Sequence, residues 1–445
     1  MAAQKTTMME RLSQLQCHFT WTLSDNVRRL RDTRHFLEQS IESDSLSWKG
    51  QLYNVLAYIH YKIDNSTEST ENALACLRKA EVILKEQATD GRGPELMVNQ
   101  ADQAWVHYHL GEMADAQRCL EEAASLQQEF PAPPGFEMHP EVHGEKGWTL
   151  IKFGADFRKE AVSEFEKAVK GDSNRKSWHK GLILAKVKMN RETGTETWNK
   201  QNRPDPLFLQ QVEKAKEVDP DDIRISMIYL IAMVDAGKKP VDEAVREAHT
   251  LALRVQRPLG DLSNILYFLR LHDLESALHV AQKFEKKYPS DREAKKQLAI
   301  CYKRTIFKSG QSNQDRVLME NAIRVYEDVI RLFPFYVRGR IDLAAIYAMS
   351  GNTGKADQMY LDLLKEEEGM EPAQLQLLYS KYAGHLHSIQ RSSDESIDYH
   401  KKAVEIPRQS PDIMRSIQIL KKLANNYRHP RCDELQEFLL GLNHI

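Results

Sequence analysis

Trp148 and Lys152 stand four residues apart in the string Glu145-Lys146-Gly147-Trp148-Thr149-Leu150-Ile151-Lys152-Phe153-Gly154. On a helix that spacing puts an indole and an ammonium on one face. Single-stranded nucleic acid needs this combination, because bases stack on aromatic rings and phosphates pair with cations. The same indole equally fits the large apolar position of a first repeat helix, and spacing alone leaves both roles open. Local charge bears on the choice. Residues 146–188 hold eleven basic and five acidic side chains, in a chain whose formal net charge is −2. A second cationic stretch, Lys295, Lys296, Lys303, Arg304 and Lys308, has no acid between 295 and 308. Lys296 and Lys303 are seven apart and share a helix face. Runs like these are either plain solvated faces or the lining of an anion-binding groove.

Nothing assembles catalysis. His107 with His109 and His385 with His387 are i, i+2 pairs that point apart on a helix, so no metal site is expected. Cys17 and His18 are adjacent, and adjacent helical residues diverge; core packing of Cys17 and Phe19 is the expectation. Glu121 and Glu122 read as a solvated polar face. No nucleophile, base and orienting group come together, so the chain is expected to be no enzyme and to need no cofactor. The five cysteines are widely spaced singletons without a CxxC pair, which argues against a disulfide framework and against a structural zinc site. Neither GxGxxG nor GxxxxGK[ST] occurs.

These side chains must be positioned by helices. The chain has 445 residues, 41% of them hydrophobic, which excludes a disordered protein. No apolar run approaches the roughly 18 residues of a membrane span. The start, MAAQKTTMMERLSQLQ, has no signal-peptide pattern, so the cytosol is the expected location and no membrane partner is expected. Near-neutrality removes a global basic signal, and DNA is not an expected partner. Ala, Leu, Glu, Lys and Gln recur at 3–4 spacing with few β-branched alternations, which predicts an all-α chain.

Small residues recur at the spacing of tetratricopeptide repeats. Leu343-Ala344-x-x-Tyr347, Gly351, Ala356 and Tyr360 form the cleanest unit, and Leu298-Ala299-x-x-Tyr302 with Ala322, Tyr326 and Pro334 the one before it. Further units are marked by Leu56-Ala57 with Ala73, Leu77 and Ala80; by Ala104, Gly111, Ala116, Leu120 and Ala123; and by Ala161, Phe165 and Ala168. Ala215 with Pro220, Ala277 with Pro289, and Tyr382-Ala383 with Ala403 complete the series. The expectation is a superhelical solenoid of about eight repeats with irregular insertions, curved around a concave groove. Pro131 to Pro140, Thr193 to Pro206 and Ser309 to Arg316 interrupt the period, with a bend expected near 195–210. The predicted organisation is an N-terminal repeat subdomain over 1–200, central irregular repeats over 201–290 and a C-terminal repeat subdomain over 291–445.

Several strings resemble the interferon-induced proteins with tetratricopeptide repeats. They are Cys17-His18-Phe19-Thr20-Trp21, Leu52-Tyr53-Asn54-Val55-Leu56-Ala57-Tyr58, Gln103-Ala104-Trp105-Val106-His107-Tyr108-His109 and the Glu145–Gly154 string above. Gln297-Leu298-Ala299-Ile300-Cys301-Tyr302-Lys303 and Leu420-Lys421-Lys422-Leu423 match more loosely. The resemblance implies a cytosolic, non-catalytic effector of innate antiviral defence. It implies binding of the 5′ end of single-stranded RNA, triphosphate or incompletely methylated cap, in a basic tunnel, sequestering the RNA or blocking its translation. By the same resemblance Trp148 would stack on the cap or first base, Lys152 and Lys188 would hold 5′ phosphates, and Gln39 would line the pocket. Arg158 and Arg270 fall in the same implied binding set, and Lys296, Gln297 and Lys303 would contact backbone or ribose farther along. Host proteins or other family members are further implied partners.

The chain departs from the family pattern at Arg158 and Arg224, where tyrosines are expected, and in Leu259–Arg270, where cations have become Leu or Ser. It also ends about one repeat short of the longer members. A protein-interaction scaffold without RNA binding is the alternative. A clamp for a peptide carboxylate would need Lys and Asn in consecutive repeats, for which only Asn54 and Asn99 are candidates.

Overall fold

A computed structural model describes residues 2–23, 27–41, 48–64, 66–192, 204–257, 259–309, 315–390, 393–406, 411–426 and 428–442. It is helical throughout, with no strand among the described residues. The chain divides into two compact units, Met1–Asp235 and Ala236–Ile445. The first unit contains α1 (Ala2–Ser13), α2 (Val27–Ile41), α3 (Lys49–Ile63), α4 (Thr67–Gln87), α5 (Leu96–Leu110), α6 (Met113–Glu129), α7 (Pro140–Leu150), α8 (Arg158–Gly171), α9 (Lys176–Glu192), α10 (Pro206–Val218) and α11 (Ile223–Asp235). The second contains α12 (Val241–Arg254), α13 (Leu262–His272), α14 (Leu274–Lys287), α15 (Arg292–Ser309), α16 (Asp315–Leu332), α17 (Val337–Met349), α18 (Thr353–Lys365), α19 (Pro372–His385), α20 (Ser393–Glu405), α21 (Pro411–Ala424) and α22 (Cys432–Gly441). No helix is long and apolar enough to cross a membrane.

Consecutive helices pair as hairpins: α3/α4, α5/α6, α7/α8 and α9/α10 in the first unit, and α13/α14, α15/α16, α17/α18 and α19/α20 in the second. These are the eight repeats expected from the small-residue spacing. Ala57, Ala73, Ala80, Ala104, Ala116, Ala161, Ala168, Ala277, Ala322, Ala344, Ala356, Ala383 and Ala403 are all fully buried. Without bulk beyond Cβ they let the two helices of a hairpin approach closely. Two hairpin turns close identically. Gly111 and Gly351 adopt φ of 82° and 85°, the left-handed conformation glycine accepts without steric cost. Behind them Glu112 N–H reaches the His107 carbonyl at 3.0 Å, and Asn352 N–H the Tyr347 carbonyl at 2.9 Å. Pro220, Pro289 and Pro334 each fall two residues beyond a helix end, where proline's missing N–H costs nothing.

The insertions behave differently from one another. Pro140 is the first residue of α7, and a Cβ on Gly171 would come within 2.2 Å of its ring. Gly171 thus lets the end of α8 sit against the start of α7. The expected break after Thr193 falls at 193–203, outside the described residues, as does most of the region of the expected bend. The chain resumes with Asp205 capping α10. Of the polar stretch Ser309 to Arg316, residues 310–314 lie outside the description; it joins α15 to α16 within one hairpin.

Candidate nucleic-acid interface

The helix carrying Trp148 is set by three close approaches. A Cβ on Gly144 would meet the Trp178 ring at 2.2 Å, and Cβ atoms on Gly147 and Gly181 would meet Phe165 at 3.0 and 2.3 Å. Gly144 and Gly147 therefore seat α7 against α9 and α8, and Gly181 seats α9 against α8. A buried polar block holds its other side. His18, which belongs to a turn rather than a helix, places Nδ1 2.7 Å from Asp102 Oδ2 and Nε2 3.0 Å from Thr149 Oγ1. Asn54 Nδ2 donates to Glu145 Oε1 at 2.9 Å, and Asn99 Nδ2 to Asn54 Oδ1 at 2.7 Å. The CHFTW string thus bonds to α7 at Thr149 and the EKGW string to α3 through Glu145, within the same buried polar block. Both asparagines considered for a peptide clamp are consumed by it.

Burial pushes the Glu145 carboxyl up to about 8, against the pull of His18 and Asn54. Burial by itself would lower the pKa of His18, but the charge and hydrogen bond of Asp102 outweigh it and raise it. Cys17 and its thiol are fully buried, as expected for a core residue, while Phe19 is half-buried and stacks on Trp105 at 5.8 Å between ring centroids.

Outside this block lies the candidate site. α7 ends at Leu150, so Lys152 sits in the following turn, with its N–H bonded to the Thr149 carbonyl at 2.9 Å. The expected helical register of Trp148 and Lys152 is replaced by a turn that reaches the same result. The Lys152 ammonium is 5.6 Å from the Trp148 ring and 4.2 Å from that of Trp48. The two indoles stack on each other, centroids 4.8 Å apart and planes at 25°. These three separations put the ammonium beside the stacked pair, where it draws on both rings. Burial and the nearby Lys188 charge push Lys152 down to about 7. Trp148, Lys152 and Lys188 are thus brought together in the first unit. Trp48 was missed by sequence reasoning because no spacing rule links it to a residue one hundred positions away.

Arg158, the first residue of α8, donates Nη1 to the Lys188 carbonyl at 2.8 Å. Gln39 belongs to α2, and its side chain lies outside the described residues. Most other cations of the 146–188 run are ion-paired: Lys146 with Glu160 at 2.8 Å, Lys186 with Glu166 at 2.8 Å, Lys180 with Asp222 at 2.6 Å, and Arg175 with Glu141 at 2.7 Å. The local excess is therefore largely neutralised, and Lys152 stands out by facing indoles.

In the second unit α13, α15 and α17, the first helices of successive hairpins, bring together the remaining expected residues. Arg270 Nη1 donates to Gln297 Oε1 at 2.8 Å, and Gln297 Nε2 donates to Glu293 Oε1 at 2.7 Å. Lys296 pairs with Glu293 at 3.1 Å, and Lys303 with Asp342 at 2.8 Å. Burial lowers the pKa of Lys303, while Asp342 opposes the shift. The stretch without acids along the chain thus acquires them from neighbouring turns and helices. The altered segment 259–270 spends its apolar residues on the core, with Leu262, Ile265, Leu266 and Leu269 fully buried.

Among the described residues, His107, Glu112 and Asp115 are the group whose potential metal-ligating atoms lie within 4.8 Å of one another. His107 Nδ1 already lies 2.5 Å from Glu112 Oε2, and Asp115 pairs with Arg118 at 3.3 Å. The cluster reads as ion pairing across the α5/α6 turn.

No family model matches the chain. It is 25% identical to human Protein IFIT1 homolog B over 97% of this chain and 92% of that protein. It is 26% identical to the human antiviral innate immune response effector IFIT1, over 93% of this chain and 86% of that protein. With human interferon-induced protein with tetratricopeptide repeats 2 the identity is 24%, over 94% and 88%. In fold it superposes on a monomeric IFIT1 mutant with Gppp-AAAA at a TM-score of 0.70 and 22% identity, covering 98% of this chain and 99% of that one. On the human IFIT1 dimer with PPP-AAAA the TM-score is 0.66 at 24% identity, covering 94% and 90%. Over nearly its whole length, in sequence and in its all-α repeat fold, the chain resembles the interferon-induced proteins with tetratricopeptide repeats.

Proposed function

We propose that this chain is a cytosolic, non-catalytic RNA-binding effector of innate antiviral defence. It takes the 5′ end of single-stranded RNA and thereby sequesters that RNA or blocks its translation. The observation that carries this is the Trp148 indole with the Lys152 ammonium at its side and Lys188 close enough to repel it. Two neighbouring cations beside an aromatic pair suit the phosphates of an RNA 5′ end. The RNA ends in the similar structures, Gppp-AAAA and PPP-AAAA, are of that chemistry. Arg158 positions Lys188 through its backbone carbonyl. Arg270, Lys296, Gln297 and Lys303 contact backbone or ribose farther along, exchanging their internal partners for RNA.

The deciding measurement is binding of one RNA sequence carrying a 5′-triphosphate or a 5′-hydroxyl, across a salt series. The triphosphate should bind more tightly, and log affinity should fall with log salt by about 0.7 per neutralised phosphate. Indifference to the 5′ end together with a flat salt response would favour a protein-interaction groove instead.

A further inference from the structure

Trp48 covers the surface that a terminal base would use. Its ring lies on that of Trp148 with centroids 4.8 Å apart and planes tilted by only 25°. Phe165, fully buried, approaches Trp148 nearly at right angles, at 5.3 Å and 82°. Aromatic faces in contact lie about 3.5 Å apart, so a base held between two indoles would need them roughly 7 Å or more apart. The gap here admits none. An aromatic group that stacks on Trp148 must therefore first displace Trp48 and its contact with Lys152, whose ammonium lies 4.2 Å from the Trp48 ring. A phosphate makes no such demand, since it pairs with the Lys152 ammonium by charge and needs no stacking face.

We infer that Trp48 is a specificity-determining residue of this pocket: by stacking on Trp148 it favours a bare 5′-phosphate end over an end closed by an aromatic cap base. The inference rests on the 5′-end recognition proposed above and adds the class of end that is accepted. It assigns Trp48 a role in exclusion and leaves Lys152 and Lys188 to hold the phosphates.

The test uses the full chain and one short RNA, labelled at its 3′ end and prepared with a 5′-triphosphate, a Gppp cap or a 5′-hydroxyl. The quantity read is the ratio of capped to triphosphate affinity within each protein preparation, so partial loss of folded protein cancels. Wild type should prefer triphosphate over cap. Trp48→Leu, which keeps apolar bulk without a stacking plane, should shift the ratio toward the cap by roughly 5- to 150-fold, the worth of one stacked base. Trp48→Phe, a smaller ring that is easier to displace, should fall between and serves if the leucine variant does not fold. If wild type prefers triphosphate over hydroxyl but neither variant moves the ratio, Trp48 is no determinant and 5′-end recognition stands. If the variants lose capped RNA selectively, Trp48 is instead a second stacking plate, and the inference is overturned. Equal wild-type affinity for cap and triphosphate also overturns it. Should wild type fail to distinguish triphosphate from hydroxyl, 5′-end recognition and the inference fall together.

Discussion

His18 meets Asp102 twice: its backbone N–H donates to Oδ1 at 3.0 Å, and its ring Nδ1 lies 2.7 Å from Oδ2, with both residues fully buried. Through Thr149 on its other ring nitrogen, the imidazole ties the turn before α2 to both α5 and α7. Removing one partner of a buried charged pair leaves the other uncompensated. Asp102→Ala should therefore cost about 3–5 kcal/mol, whereas Asp102→Asn, which keeps an acceptor, should cost less. All six tryptophans fall within residues 1–235, so tryptophan emission during urea unfolding follows the unit in question. A change below about 1 kcal/mol would mean that this network does not hold the helices together.

Glu145 gives the same core a pH dependence. Its carboxyl is pushed up to about 8 by burial from an ordinary value of 4.5. The folded chain therefore keeps this proton through a range in which the unfolded chain has lost it. Stability from this group is present below pH 4.5 and declines as pH rises toward 8, by up to about 1.4 kcal/mol per unit. Glu145→Gln retains an acceptor for Asn54 and removes the titration. Its urea midpoint relative to wild type should climb between pH 5 and pH 8, and a constant difference would show that Glu145 is not the group responsible.

Ala356 tests the repeat register in the second unit. It is fully buried on α18, and Ala344 is fully buried on its hairpin partner α17. Ala356→Leu forces extra methylenes into that contact and should cost about 1–3 kcal/mol. Circular dichroism should report a lower melting temperature. An unchanged one would place Ala356 away from the hairpin contact.

The hairpins were legible because small residues recur at a fixed period and leave the same mark wherever two helices touch. The resemblance strings were legible too, but their physical content was not. Asn54 and Asn99 looked like isolated candidates for a ligand, and Glu145 had no evident partner, because the contacts joining them cross 45 and 91 residues of chain. Charge misled for the same reason. Lys303 has no acid within several residues on either side, yet Asp342 reaches it from another helix at 2.8 Å. Trp48 is the clearest case: a half-buried indole whose stacking partner lies in a different hairpin carries no periodic signal at all.

Lys152 supplies the prediction that bears most directly on the pocket. Burial and the charge of Lys188 bring it down to about 7, so in the free protein the ammonium is largely lost by pH 8 to 9. A bound 5′ phosphate favours the charged form, and above pH 7 binding must take up a proton. Affinity for 5′-triphosphate RNA should accordingly fall from pH 7 to pH 9, by up to about tenfold per unit for a single proton. A terminal phosphate titrates near roughly pH 6, so the ligand's own charge is nearly constant in this window. Lys152→Arg keeps its charge throughout and should remove the slope, while Lys152→Ala should lower the salt slope by about 0.7. The 5′-hydroxyl RNA, lacking the phosphates, should show little pH dependence with either protein. If wild type and Lys152→Arg lose affinity in parallel, the proton belongs to another group and Lys152 does not hold the 5′ end.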